Sequence, residues 1–247
     1  MSDLLRIQNL EKHYDDFDLE GISLSVPAGS VVGFIGSNGA GKTTTIKAIL
    51  GLIRPDGGSI SLFGEEVTGA PEKRLAQLKQ RIGVVFDTCS FPEELTVDTV
   101  SKLMAQSYKD WNPGAFRTFA HAFQLPQDKT VKDLSRGMGM KLSLACALAH
   151  NPDLLVLDEA TAQLDPVAEK NFLHALFRVN RELGITVVMA THAPEATAPY
   201  ATDLVELANG QVRPVAVPPI LAPVPASAPA APRPRVGHAL DEPETPP

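Results

Sequence analysis

Between the apolar run VVGFI (residues 31–35) and an apolar helical pattern from Thr43 to Leu52 lies the stretch GSNGAGKTT. This constrains the fold more than any other feature of the chain. It matches G-x-x-x-x-G-K-[ST] in the setting the pattern requires, a buried strand before it and a helix after it. Gly36, Gly39 and Gly41, with Ser37, Asn38 and Ala40 between them, let successive backbone N–H groups curl around phosphate oxygens. The helix N-terminus, opening at Lys42, Thr43 and Thr44, adds the positive end of its dipole. Lys42 is placed to reach the β- and γ-phosphates of a nucleotide, and the Thr43 hydroxyl to ligate Mg²⁺.

A phosphate site of this kind needs an acid at the end of a second buried strand, and LLVLDE supplies Asp158 and Glu159. Asp158 is the candidate outer partner of Mg²⁺, and Glu159 is placed to polarise an attacking water. After them Asp165 is a plausible N-cap with Pro166 at the first helical position. Phe172, Leu173, Leu176, Phe177 and Leu183 give that helix one apolar face, and ITVVMA follows as a third buried strand. Strand, helix, strand at this spacing is a βαβ unit, so an α/β fold around a parallel sheet is expected. His192 lies just past the third strand, where it caps the turn or touches the γ-phosphate or Glu159.

The rest of the chain frames this core. Ile22, Leu24 and Val26 alternate with polar residues, which predicts a half-exposed strand, and GGSISLFG another short one. Residues 71–150 are mostly helical in pattern, with loops expected at prolines 92, 113 and 126. Within them LSRGMGMKLSLACALAH poses a puzzle, because Gly137 and Gly139 sit in the first turns of an otherwise apolar helix. Each costs up to about 1 kcal/mol against alanine. The net charge of −7 gives no global basic field for nucleic acid or anionic lipid. Cys89 and Cys146, the two cysteines, have no metal-type spacing and are read as reduced thiols. The charged N-terminal stretch lacks an apolar h-region, so no secretory leader is expected, and no apolar run approaches 18 residues. Eleven prolines among residues 211–247 predict a Pro/Ala-rich disordered tail over 217–247, after a domain covering 1–216.

Taken together, the loop at Gly36, LSRGM at Leu134, LLVLDEATAQLD close behind it and His192 further on resemble the ATP-binding subunit of an ABC transporter. The resemblance covers residues 4 to about 213. It implies a P-loop NTPase fold: a RecA-like core, an antiparallel β-subdomain and a helical lobe over about 88–150. It implies two ATP-binding subunits, identical or not, closing head to tail around ATP and Mg²⁺. Ser135 and Gly137 would then face the γ-phosphate held by the other subunit. It also implies Tyr14 as the ring stacked on adenine and Asp165 as an acid linking the two sites, alongside its capping role. A separate membrane permease would be the partner, on the inner face of the cell membrane, with no nucleic acid.

Several positions depart from the usual pattern. Arg136 stands where glycine is common, Met138 replaces a glutamine, and Ala160 and Gln163 replace a proline and a glycine. Asp87, in RIGVVFDTCS, stands where glutamine is usual; as a hard oxygen ligand it is a candidate for the metal, directly or through water. This variation resembles an exporter branch of the family. Phe91, Leu95 and Val97 nearby are candidates to receive a short partner helix. Two other readings stay open: a soluble ATPase of this type working on nucleic acid or ribosomes, and a regulator that closes on ATP without hydrolysing it.

Overall fold

The computed structural model describes residues 3–192, 194–208 and 210–215, so the expected 217–247 tail lies outside the described residues. The chain begins with β1 (Asp3–Tyr14), β2 (Phe17–Pro27) and β3 (Val31–Ile35), then α1 (Lys42–Ile49), β4 (Gly57–Leu62) and β5 (Glu65–Glu66). Next come α2 (Glu72–Lys79), β6 (Ile82–Val85), α3 (Val97–Met104), α4 (Pro113–Ala122) and α5 (Arg136–Leu148). The last stretch holds β7 (Leu154–Asp158), α6 (Pro166–Leu183), β8 (Thr186–Thr191), α7 (Pro194–Thr197), β9 (Asp203–Ala208) and β10 (Gln211–Val215).

These strands form two sheets. A six-stranded sheet runs β10-β9-β3-β8-β7-β6, parallel throughout except for β10 at its edge. A four-stranded antiparallel sheet runs β2-β1-β4-β5. The large sheet is apolar on both faces because both are covered. Leu155, Leu157, Val187 and Met189 point into one core with α3, α4, α5 and α6. Their neighbours Leu154, Val156, Val188 and Ala190 point into the other, with Ile46 and Ile49 of α1 and the antiparallel sheet. That is the period of two read on a sheet buried on both sides. Along β2 the expected alternation of Ile22, Leu24 and Val26 holds only in part: Ile22 and Val26 are buried, as is Leu19, while Leu24 is only partly buried, and the pairing with β1 carries register shifts.

Register decides where the chemistry falls. Phe34 pairs with Ala190 and Ala190 with Asp158, so β3, β7 and β8 end at one level. The loops leaving these carboxyl ends carry Gly36–Thr44, Glu159 and His192, the position where parallel α/β sheets place ligands.

Two expectations need correction. The stretch 71–150 is not all helix and loop, since Ile82–Val85 forms the β6 edge strand of the parallel sheet. Four residues carry too little periodicity to reveal a strand. Pro113 does not mark a loop; it is the first residue of α4, capped by Asn112, whose side chain accepts from Gly114 and Ala115. Gln211–Val215, within the proline-rich end, pairs with β9 as an edge strand, where Pro214 is tolerated.

Candidate nucleotide-binding site

Steric constraint shapes the phosphate loop first. A Cβ at Gly36 would strike the carbonyl oxygen of Leu207 in β9, so no other residue fits there. Gly41 has φ +103, and a Cβ on it would lie 2.7 Å from Leu19 Cδ1 and 2.8 Å from Phe17 Cζ. Gly36 and Gly41 therefore serve packing against β9 and β2, in addition to the phosphate access expected of the loop. That second demand comes from residues distant in the chain and leaves no local signal. Phe17 pairs with Tyr14 across the β1–β2 turn, and the Tyr14 ring is exposed. Lys12 Nζ lies 5.6 Å from that ring's centroid.

Lys42 is buried, 4% exposed, at the first turn of α1. Its Nζ donates to the carbonyls of Gly36 (2.7 Å) and Ser37 (3.1 Å) and pairs with Glu159 Oε1 at 3.1 Å. The other Glu159 oxygen accepts from His192 Nδ1 at 2.7 Å. Thr43 Oγ1 donates to Asp158 Oδ1 at 3.2 Å. Five of the sequence candidates thus converge. Glu159 takes φ +52, a left-handed conformation costly for a side chain of its size. Its N–H donates to Ala190 (3.1 Å) and its carbonyl accepts from Ala162 (3.0 Å), which hold it there.

The two neighbouring carboxyls are pushed opposite ways. Burial raises Asp158 above the usual carboxylate range, and the charges of Glu159 and Asp87 add to this against the Thr43 hydrogen bond and Lys42. Burial also acts to raise Glu159, but the hydrogen bonds from His192 and Lys42 outweigh it, and its net shift is downward. Three carboxylates against one lysine is a site short of positive charge. A divalent cation fits that deficit, with Asp158 and Thr43 as its protein oxygens. Among the described residues no group of three or more His, Cys, Asp or Glu side chains is arranged to hold a metal ion alone. Remaining ligands would come from phosphate oxygens and water.

Other candidates are not hydrogen-bonded to this cluster among the described residues. The Asp87 carboxylate accepts a long hydrogen bond, 3.4 Å, from Gln163 Nε2, and no bond joins it to Thr43 or Asp158 among the described residues. Gln163 as its partner was not foreseen. Asp165 accepts from Val167 and Ala168, both at 3.0 Å, so its capping role is realised in α6. Ser135 caps α5 by accepting from Met138 at 3.3 Å, and no hydrogen bond ties Ser135 or Gly137 to the phosphate loop of the same chain among the described residues. A cleft beside them is lined by Thr88, Glu93, Lys132, Ser135 and Arg136. The helix glycines now have a packing reason: a Cβ on Gly139 would lie 3.0 Å from Cys89 Cβ, and one on Gly137 3.2 Å from Ala168 Cβ.

The geometry defines a P-loop nucleotide-binding protein: a glycine loop at a helix start, with an acid pair on the adjoining parallel strand. The description "ABC transporter" fits residues 19–162 of the chain. The methionine import ATP-binding protein MetN of Bordetella avium (strain 197N) is 37% identical over 219 residues, 85% of this chain and 60% of that protein. The phosphonates import ATP-binding protein PhnC 2 of Synechococcus sp. (strain JA-2-3B'a(2-13)) is 33% identical over 224 residues, 85% of this chain and 83% of that protein. This chain therefore belongs to the ABC transporter family, although it spans only about 60% of the length of the methionine relative. In structure it is similar to cbiO1 of Clostridium perfringens, part of the complex cbiONQ, with TM-score 0.77 and 25% identity over 86% of this chain and 88% of that one.

Proposed function

We propose that this chain is the ATP-binding and ATP-hydrolysing subunit of an ABC transporter, energising transport through a separate membrane subunit. The observation that carries this is the convergence of Lys42, Thr43, Asp158, Glu159 and His192 at the ends of three adjacent parallel strands. The loop amides and Lys42 hold the phosphates. Water attacks the γ-phosphorus, the bond to the ADP oxygen breaks, and Glu159 takes the water's proton. His192 keeps Glu159 aimed through its Nδ1–H. Mg²⁺, when bound at Asp158 and Thr43, supplies charge neutralisation for the phosphate oxygens.

Among the described residues no hydrogen bond links Ser135 or Gly137 to the phosphate loop of the same chain, and Ser135 lines a separate cleft with Arg136 and Gly139, which supports a composite site completed by a second ATP-binding subunit. No helix among the described residues is long and apolar enough to cross a membrane. In this reading a separate membrane subunit supplies the path. Its docking place in this reading is the groove lined by Phe86, Phe91, Met104 and Tyr108. The named direction of the relatives above is import, so the export branch drawn from Asp87 has no support there. The test is ATP turnover of the chain against its concentration: a composite site makes the rate rise more than linearly, and a rate per chain that is constant on dilution contradicts it. Binding of a co-purifying membrane protein, lost on changing Phe86 and Phe91 to charged residues, tests the groove; of the sequence candidates Phe91 lines it, Leu95 does not, and Val97 is fully buried.

A further inference from the structure

We infer that Glu159 has a role before chemistry: it is the counter-ion a nucleotide phosphate must displace from Lys42, so affinity is set by exchanging a carboxylate for a phosphate on one ammonium. This rests on the nucleotide-binding reading above. A lysine ammonium has three donors and no more. In Lys42 all three are matched, to the carbonyls of Gly36 and Ser37 and to Glu159 Oε1. With 4% exposure the ammonium has no room to gain a fourth partner. A phosphate oxygen on Lys42 must therefore replace one of the three.

Which one yields follows from what holds each. The two carbonyls belong to the loop backbone, and at Gly36 that backbone is wedged against Leu207. Glu159 is a side chain with rotatable bonds and already has a second partner, His192, on its other oxygen. Its backbone is clamped in the left-handed conformation by Ala190 and Ala162, so only the carboxylate swings. After the exchange Glu159 keeps His192 and is free for water. His192 is thus the residue that receives Glu159, and Lys42 the one that lets it go. The ligand class follows too: exchange needs a phosphate at the β or γ position, so a nucleoside monophosphate leaves the Lys42–Glu159 pair intact.

Calorimetric titration of the full chain with ADP, in chelator so that no metal contributes, tests this without turnover. Glu159→Gln replaces a charge-assisted contact by a neutral one and should tighten ADP about fivefold. Glu159→Asp keeps the charge but withdraws its reach, and should tighten ADP too, while AMP affinity stays unchanged in both. His192→Ala should weaken ADP, and that weakening should vanish in the Glu159→Gln background. Tightening in Glu159→Gln but not in Glu159→Asp would mean simple repulsion between carboxylate and phosphate and overturns the exchange. Unchanged ADP affinity in both variants overturns it as well. A wild-type chain that binds no ADP overturns the nucleotide reading itself.

Discussion

His150, just past the C-terminus of α5, is 2% exposed, with its Nε2 3.2 Å from the Ile82 carbonyl of β6 and its ring stacked on Tyr108 at 3.9 Å. Burial lowers its pKa from 6.5 to about 4, against the carbonyls of Ile82 and Cys146 and the charge of Asp110, which act to raise it. The folded chain therefore holds this ring neutral where the unfolded chain protonates it. Its contribution is fully present above pH 6.5 and is lost as the pH falls through about 4. At 1.36 kcal/mol per pH unit of separation, the loss comes to about 3 kcal/mol. That is a large share of a typical domain stability of roughly 5–15 kcal/mol. His150→Gln offers Ile82 an amide donor and does not titrate. Urea unfolding of both chains from pH 7 to pH 4 should show the wild type losing about 3 kcal/mol more than the variant. Parallel curves across that window would refute the reasoning, since His150 would then titrate alike in both states.

Three further outcomes follow from the same geometry. Asp158→Asn should raise the melting temperature at pH 7 by a few degrees while abolishing Mg²⁺-dependent turnover. Burial lifts this carboxyl above its unfolded value, so its stabilising contribution is present at low pH and lost as the pH rises through the folded value; a scan showing a lower melting temperature contradicts this. Gly36→Ala should abolish ADP binding, because the loop cannot keep its path against Leu207; unchanged calorimetric affinity would refute that. Gly139→Val should cost about 1–3 kcal/mol by overpacking against Cys89, with much of the loss recovered in the double variant carrying Cys89→Gly; additive losses in urea would remove the contact as the cause.

The residues that converge at the candidate site are legible in the sequence because their signals are local. Gly36–Thr44 combines a motif with its strand and helix, and LLVLDE announces a buried strand that ends in acids. Asp165 and Pro166 likewise mark the start of α6 as they stand. What stayed hidden depends on residues far apart. Nothing near Gly36 names Leu207, whose carbonyl leaves no room for a side chain there, and nothing near Gly139 names Cys89, which would crowd one. The β6 strand is too short to show a period, and its membership in the sheet comes only from pairing with β7. The Lys42–Glu159–His192 chain was legible as three residues but not as a shared set of bonds. Asp87 and Gln163 departed from the family pattern separately, and only the fold shows them meeting.

The proposed hydrolysis turns most directly on Glu159. Steady-state ATP turnover with Mg²⁺, measured beside ATP binding and subunit association for the wild type and Glu159→Gln, should show hydrolysis in the wild type alone. The variant should bind ATP and accumulate as a closed dimer. Equal turnover in the two chains would contradict the assignment of Glu159 as the base and, with it, the proposed mechanism of the site.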